Sequence, residues 1–151
     1  MDTFKDINEI LDFAMDNEQK AVDFYTRLAE NARTEDMKAI FEQFAREEIS
    51  HKARLNKIKE DGEFDMPSET VQTLKIADYL VSTEAKPDMS YEDALVLAMK
   101  REKAAFKLYI KLSEKAPTDK LKDIFHALAV EESKHKLRFE LEYDEYVLRE
   151  N

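Results

Sequence analysis

The stretch LDFAMDNEQKAVDFYTRLAENARTEDMKAIFEQFAREEISHKAR, residues 11–54, is written again 84 positions later as LVLAMKREKAAFKLYIKLSEKAPTDKLKDIFHALAVEESKHKLR, residues 95–138. No gap is needed to align the copies, and the identical pairs include Met15/Met99, Glu18/Glu102, Tyr25/Tyr109, Phe41/Phe125, Glu48/Glu132 and His51/His135. A repeat can signal a solenoid, but two copies are too few to stack and cap one. The repeat therefore reads as a helical hairpin, duplicated and closed on its own copy.

Within each copy the apolar residues return at helical spacing: Leu11, Ala14, Ala21, Tyr25 and Leu28 in the first helix, Leu95, Ala98, Ala105, Tyr109 and Leu112 in the third. Asp6 and Ser90 stand as matching N-caps, and Thr34 and Thr118 open the second and fourth helices. Met37, Ile40, Phe44, Leu55 and Ile58 mark the buried stripe of the second helix; Leu121, Phe125, Leu128 and Phe139 mark that of the fourth. Gly62 falls where a helix end favours a left-handed residue. The chain has one Gly, three Pro and no Trp in 151 residues, which leaves little material for tight turns and favours helix over sheet.

The hairpins span about residues 6–60 and 90–149, and residues 61–89 connect them, with a short helix expected near Val71–Val81. A 26-residue helix is about 39 Å long at ~1.5 Å per residue, and about 12 extended residues cross that height. The connector can return the chain to the other end of the bundle, so that helices two and three run parallel. The expectation is an all-α four-helix bundle with one long crossover, forming a single domain over residues 1–151.

A formal net charge of −10 opposes binding to nucleic acid or to anionic membranes. The absence of cysteine excludes disulfides and thiolate chemistry and fits a cytoplasmic protein. No leader-like segment and no membrane-length apolar run is read in the sequence.

The chemistry lies in what interrupts the apolar stripes. The inward series of the first helix needs an apolar residue at position 18 and has Glu18; the second supplies Glu48 and His51 where apolar residues belong. Glu102, Glu132 and His135 repeat the pattern. Four buried carboxylates without compensation would each cost several kcal/mol. Two divalent cations balance four carboxylates and leave neutral imidazoles as further ligands. A Glu and a His at i and i+3 share a helix face and can reach the same centre. A lone E-x-x-H in a Glu-rich helix means little; here it recurs in phase with the core, each time after an inward Glu 30 residues earlier.

Glu47 and Glu131 sit about 100° around their helices from this face and read as flanking or surface residues. His126, off the stripe, reads as solvated. Tyr25 and Tyr109, two turns beyond the inward glutamates, are expected to hydrogen-bond ligand carboxylates. Oxygen-rich donors with one imidazole per metal suit iron or manganese, with zinc possible but redox-inert.

The segments NEQKAVDFYTRLAE and FAREEISHKARL, echoed by REKAAFKLYIKLSE and LAVEESKHKLRF, resemble rubrerythrin-like proteins of the ferritin-like superfamily. The resemblance implies that Glu48 and Glu132 bridge two irons, with Glu18 and His51 completing one and Glu102 and His135 the other. It implies an oxidoreductase that reduces peroxide or dioxygen, served by an external donor such as rubredoxin or a flavoprotein, and a homodimer or larger homo-oligomer. Two departures stand out. The chain has no cysteine for a rubredoxin-type iron, and Ala105 occupies the position of an additional family carboxylate. The bare six-residue set is closer to bacterioferritin, which makes ferroxidase and iron storage one alternative and a non-catalytic metal-binding bundle another. Bacterioferritin's haem methionine would fall at Ile49 or Ser50, so haem is not expected.

Overall fold

Each long helix begins where a short polar side chain satisfies a free backbone amide. The amide of Glu9 donates to Asp6 (2.9 Å), that of Met37 to Thr34 (3.1 Å), that of Asp93 to Ser90 (3.1 Å) and that of Leu121 to Thr118 (3.2 Å). In the computed structural model, which describes residues 3–150, these caps open α1 (Ile7–Glu30), α2 (Glu35–Asp61), α4 (Tyr91–Lys115) and α5 (Asp119–Glu150). Gly62 closes α2 at φ 64°, a left-handed conformation that glycine adopts without a Cβ clash.

The apolar residues collect into two clusters, one at each end of the bundle. One joins Ile10 and Leu11 of early α1 to Leu55 of late α2, Leu112 of late α4 and Leu121 of early α5. The other joins Leu28 of late α1 to Phe41 of early α2, Leu95 of early α4 and Phe139 of late α5. Helices α2 and α4 therefore run the same way, and the connector crosses the full height of the bundle. This is the all-α, ferritin-like architecture with one long crossover. Between the two clusters lies the middle of every long helix. Among the described residues no helix is long and apolar enough to cross a membrane.

The connector departs from the expected helix at Val71–Val81. It forms a short α3 (Ser68–Val71) and a separate 3-10 turn (Ile76–Asp78). Between them Lys75 takes an extended conformation (φ −92°, ψ 128°) and forms an isolated antiparallel bridge with Thr3, which breaks the helical run. Val71, Leu74 and Tyr79 are nevertheless buried and fasten the crossover to the bundle. In α2 the innermost stripe includes Phe41 and Ala45, while Ile40 and Phe44 are partly buried. Phe41 stacks on Phe139, and Phe44 is turned so that its ring covers His135 at 4.0 Å between centroids.

The distal cluster carries an ion pair that the hydrophobic pattern does not announce. Arg33, in the α1–α2 turn, donates through Nε (3.2 Å) and Nη2 (3.0 Å) to the buried Glu142, which also accepts from the Tyr91 hydroxyl (2.8 Å). One carboxylate thus ties the first hairpin's turn to both helices of the second. Arg33→Ala should cost about 2–3 kcal/mol in urea unfolding, because a buried charge loses its charged donor. A loss below half of that would show that Tyr91 and water suffice.

Candidate metal centre

At mid-height the bundle interior is polar. Glu18 of α1, Glu48 and His51 of α2, Glu102 of α4, and Glu132 and His135 of α5 are each at most 2% exposed. All six residues singled out by the interrupted stripes are therefore gathered into one buried cluster. Their atoms form two overlapping groups, Glu18, Glu48, His51, Glu132 and Glu48, Glu102, Glu132, His135, within each of which the donor atoms lie within 4.8 Å of one another. Glu48 and Glu132 belong to both groups.

The contacts inside the cluster are close without being hydrogen bonds. His51 Nδ1 lies 3.2 Å from Glu18 Oε2, 3.0 Å from Glu48 Oε1 and 3.2 Å from Glu132 Oε1. His135 Nδ1 lies 3.4 Å from Glu102 Oε2, 3.5 Å from Glu48 Oε1 and 3.6 Å from Glu132 Oε1. Yet all six residues keep at least one buried side-chain atom without a hydrogen-bond partner, the two Nδ1 atoms among them. Buried polar atoms are normally paired. Atoms that converge but do not pair are arranged around a common point, and an oxygen-rich set with one imidazole per group suits two divalent cations.

A family model described as Rubrerythrin matches residues 9–143. The chain belongs to the rubrerythrin family. No curated protein and no solved structure matches it significantly. For a rubrerythrin family member, the buried carboxylate–histidine cluster fits a di-iron centre.

Electrostatics describe the metal-free cluster. Burial, and then the charges of Glu102, Glu48 and Glu18, push Glu132 well above the usual carboxylate range. Burial, with Glu18 and Glu102 nearby, raises Glu48 to about 8. Burial also raises Glu102, against the opposing effects of the nearby His135 and the hydrogen bond from Tyr25. Burial alone would lower the histidines, but Glu18 and Glu48 outweigh it and raise His51 to about 11. In the same way Glu102 and Glu48 raise His135 to about 9. Glu48, Glu102, Glu132 and both imidazoles hold protons more tightly than in water, the behaviour of a site short of positive charge.

The two tyrosines reach across the bundle. Tyr25 donates its hydroxyl to Glu102, and Tyr109 donates to Glu18 Oε1 at 2.9 Å, each to the carboxylate of the opposite hairpin. Burial, reinforced by neighbouring glutamates, raises both phenols well above their ordinary value, so both remain O–H donors. His126 is exposed.

Of the two readings open for Glu47 and Glu131, flanking or surface, the structure shows the first. Far from being surface residues, they are about two-thirds buried and grip the outer nitrogens of the histidines: His135 Nε2–H donates to Glu47 Oε1 (2.9 Å) and His51 Nε2–H donates to Glu131 Oε1 (3.3 Å). Each bond joins opposite hairpins, so a residue turned away from its own helix's inner face still meets the imidazole of the neighbour. The E-E-x-x-H pattern in both copies was the available signal. With Nε2 held as a donor, Nδ1 is the nitrogen left to give its lone pair to a cation that displaces its proton. Glu131 also accepts from Arg54 (3.2 and 3.4 Å), whereas Glu47 accepts from the neutral Gln43 (2.9 Å). Glu47→Ala should lower metal affinity about 10–100-fold, the usual result of removing such a partner. Competition with a chromophoric chelator measures it, and unchanged affinity would show that the imidazole needs no orientation.

The histidines enter the cluster from the α2–α5 side. On the α1–α4 side Glu18, Glu48, Glu102 and Glu132 line a cavity of about 300 Å³, to which the connector contributes Tyr79, Leu80, Val81, Thr83, Glu84 and Ala85. Ala105 lies in its wall.

Proposed function

We propose that this protein is a di-iron oxidoreductase that reduces peroxide with electrons from an external donor. Glu48 and Glu132, common to both donor groups, would be shared between the two ions, with Glu18 and His51 holding one and Glu102 and His135 the other. The observation that carries this reading is the pair of overlapping donor groups sharing Glu48 and Glu132, with unpaired atoms on all six residues. When bound, two ferrous ions would supply the two electrons and the Lewis acidity needed to cleave an O–O bond.

The chain's own residues hold the geometry for this. Glu47 and Glu131 fix the imidazole rings, and Tyr25 and Tyr109 fix the terminal carboxylates by hydrogen bonds that survive at any working pH. Phe44 covers His135 and keeps water from that side. The α1–α4 cavity makes the four carboxylates approachable from that side. Each donor group contains a residue from both hairpins, so the two hairpins work as one domain. Without cysteine the chain has no thiolate-ligated second redox centre, so electrons come from a partner such as a rubredoxin or a flavoprotein. A cytoplasmic setting belongs to the same reading.

The test is stopped-flow mixing of the anaerobic di-ferrous protein with each oxidant. Hydrogen peroxide should oxidise it faster than dioxygen, at about one peroxide per two ferrous ions, since each O–O cleavage consumes two electrons. Faster oxidation by dioxygen with accumulation of ferric mineral would replace this reading with iron storage, and gel filtration would then show a large cage. Binding with no turnover by either oxidant would leave a non-catalytic metal protein.

A further inference from the structure

On the inside the two halves of the cluster match residue for residue: each has a terminal glutamate held by a tyrosine, a glutamate common to both groups, and a histidine. They differ behind the histidines. His135 Nε2–H donates to Glu47 at 2.9 Å, and the other side chain bonded to that carboxylate is the neutral amide of Gln43. His51 Nε2–H donates to Glu131 at a longer 3.3 Å, and the same carboxylate takes two bonds from the Arg54 guanidinium, at 3.2 and 3.4 Å.

Burial does not separate the two carboxylates, since each keeps 31% of its side chain exposed. The contrast lies in the cation. Among the described residues no lysine or arginine lies within ion-pair distance of Glu47, although Arg138 is the repeat mate of Arg54. The repeat mate of Gln43 is Ala127, so both departures from twofold symmetry fall on the partners of Glu47 and Glu131.

A carboxylate behind an imidazole draws on the N–H proton, which makes the opposite nitrogen a stronger donor to a metal. Glu131 Oε1 is bonded to both His51 and Arg54, so part of its charge is spent on the guanidinium. Arg54 also places a positive charge on the His51 side, which opposes an incoming cation. Glu47 has neither handicap.

Building on the two-ion reading, we propose that the halves hold their ions unequally. The Glu102–His135 half binds first and more tightly, the Glu18–His51 half is the weaker and more exchangeable, and Arg54 and Gln43 are the positioning residues that set the difference. The affinities should differ by about tenfold, the lower end of what loss of such a partner costs, because Arg54 weakens Glu131 without removing it.

Zinc has no redox chemistry, so it separates binding from turnover. The chain has three histidines, and His126 is exposed and outside the cluster. Nitrogen NMR of histidine-labelled protein therefore follows each half during a zinc titration. Phe44 stacks on His135 at 4.0 Å, and the ring-current shift that Phe44→Leu removes identifies the His135 signals. A tenfold difference divides one zinc per chain as about three-quarters on His135 and one-quarter on His51. Arg54→Gln, which gives Glu131 an amide partner like that of Glu47, should bring the two to about one-half each. Gln43→Arg, which sets a guanidinium one turn from Glu47, should level them from the other side. His51 filling first, or an Arg54→Gln protein that fills in the wild-type proportions, overturns the proposal. If both histidines fill equally in the wild type, the inequality is lost while the two-ion reading stands. If neither responds to zinc, the two-ion reading fails and the inequality falls with it.

Discussion

Stripped of metal and then titrated with ferrous, manganous or zinc ion, the protein should gain about 10–20 °C in melting temperature. A ligand present at 100 times its dissociation constant stabilises a folded protein by about 2.7 kcal/mol, so two ions contribute about 5 kcal/mol. A domain of this size shifts by about 2–4 °C per kcal/mol. Few point substitutions could match that, because the metal-free state combines four buried carboxylates with seven unpaired atoms. Protons should be released during the titration, since ligands bind metal in their deprotonated forms. Saturation should come at two ions per chain, and a His51→Ala, His135→Ala double variant should not retain both. A melting temperature indifferent to all three metals would mean that the cluster is a polar network and nothing more.

The second large effect has opposite signs in the two states. Glu132→Gln should make the metal-free protein more stable near neutral pH by about 1 kcal/mol or more, because the amide needs no proton taken up on folding and each pKa unit so avoided is worth about 1.4 kcal/mol. Glu132 is the clearest case because burial and three like charges all act on it in the same direction. Its native form holds a proton that the unfolded chain gives up near the usual 4.5. Wild-type stability should therefore fall as pH rises above that value, and the glutamine variant should lose less over the same range. With metal the order reverses: the variant should lose much of the metal-induced gain, because the position belongs to both donor groups. Parallel denaturant titrations with and without metal give the four numbers needed. A metal-free variant weaker than wild type would refute the like-charge account.

Much of the architecture was legible because duplication doubled every signal. A single Glu18 within an apolar stripe is ambiguous; Glu18 and Glu102 in register, each followed by E-x-x-H, are far less so. The four N-caps were readable because Asp6, Thr34, Ser90 and Thr118 act on amides three residues away. What escaped depends on contacts between distant segments. Glu47 and Glu131 point away from their own helix's inner face, and only the packing of α2 against α5 brings them to the histidines. The Arg33–Glu142 pair joins residues 109 positions apart and has no counterpart in the repeat pattern. The connector broke into two short pieces because Lys75 pairs with Thr3, a contact that no local propensity encodes.

The crossed ties around the cluster also bear on ancestry. Tyr25 to Glu102 is matched by Tyr109 to Glu18, and His135 to Glu47 by His51 to Glu131. Every one of these bonds joins one hairpin to the other, and each has its twofold mate. A single hairpin paired with an identical copy would form the same bonds by symmetry, with no need of the connector. The present chain is thus equivalent to a homodimer fused into one polypeptide, and fusion removes the requirement that its halves stay identical. Arg54 bonds Glu131 while its counterpart Arg138 leaves Glu47 to Gln43, and Phe44, which covers His135, is matched by Leu128. Those are positions at which the two halves of the cluster are no longer equivalent.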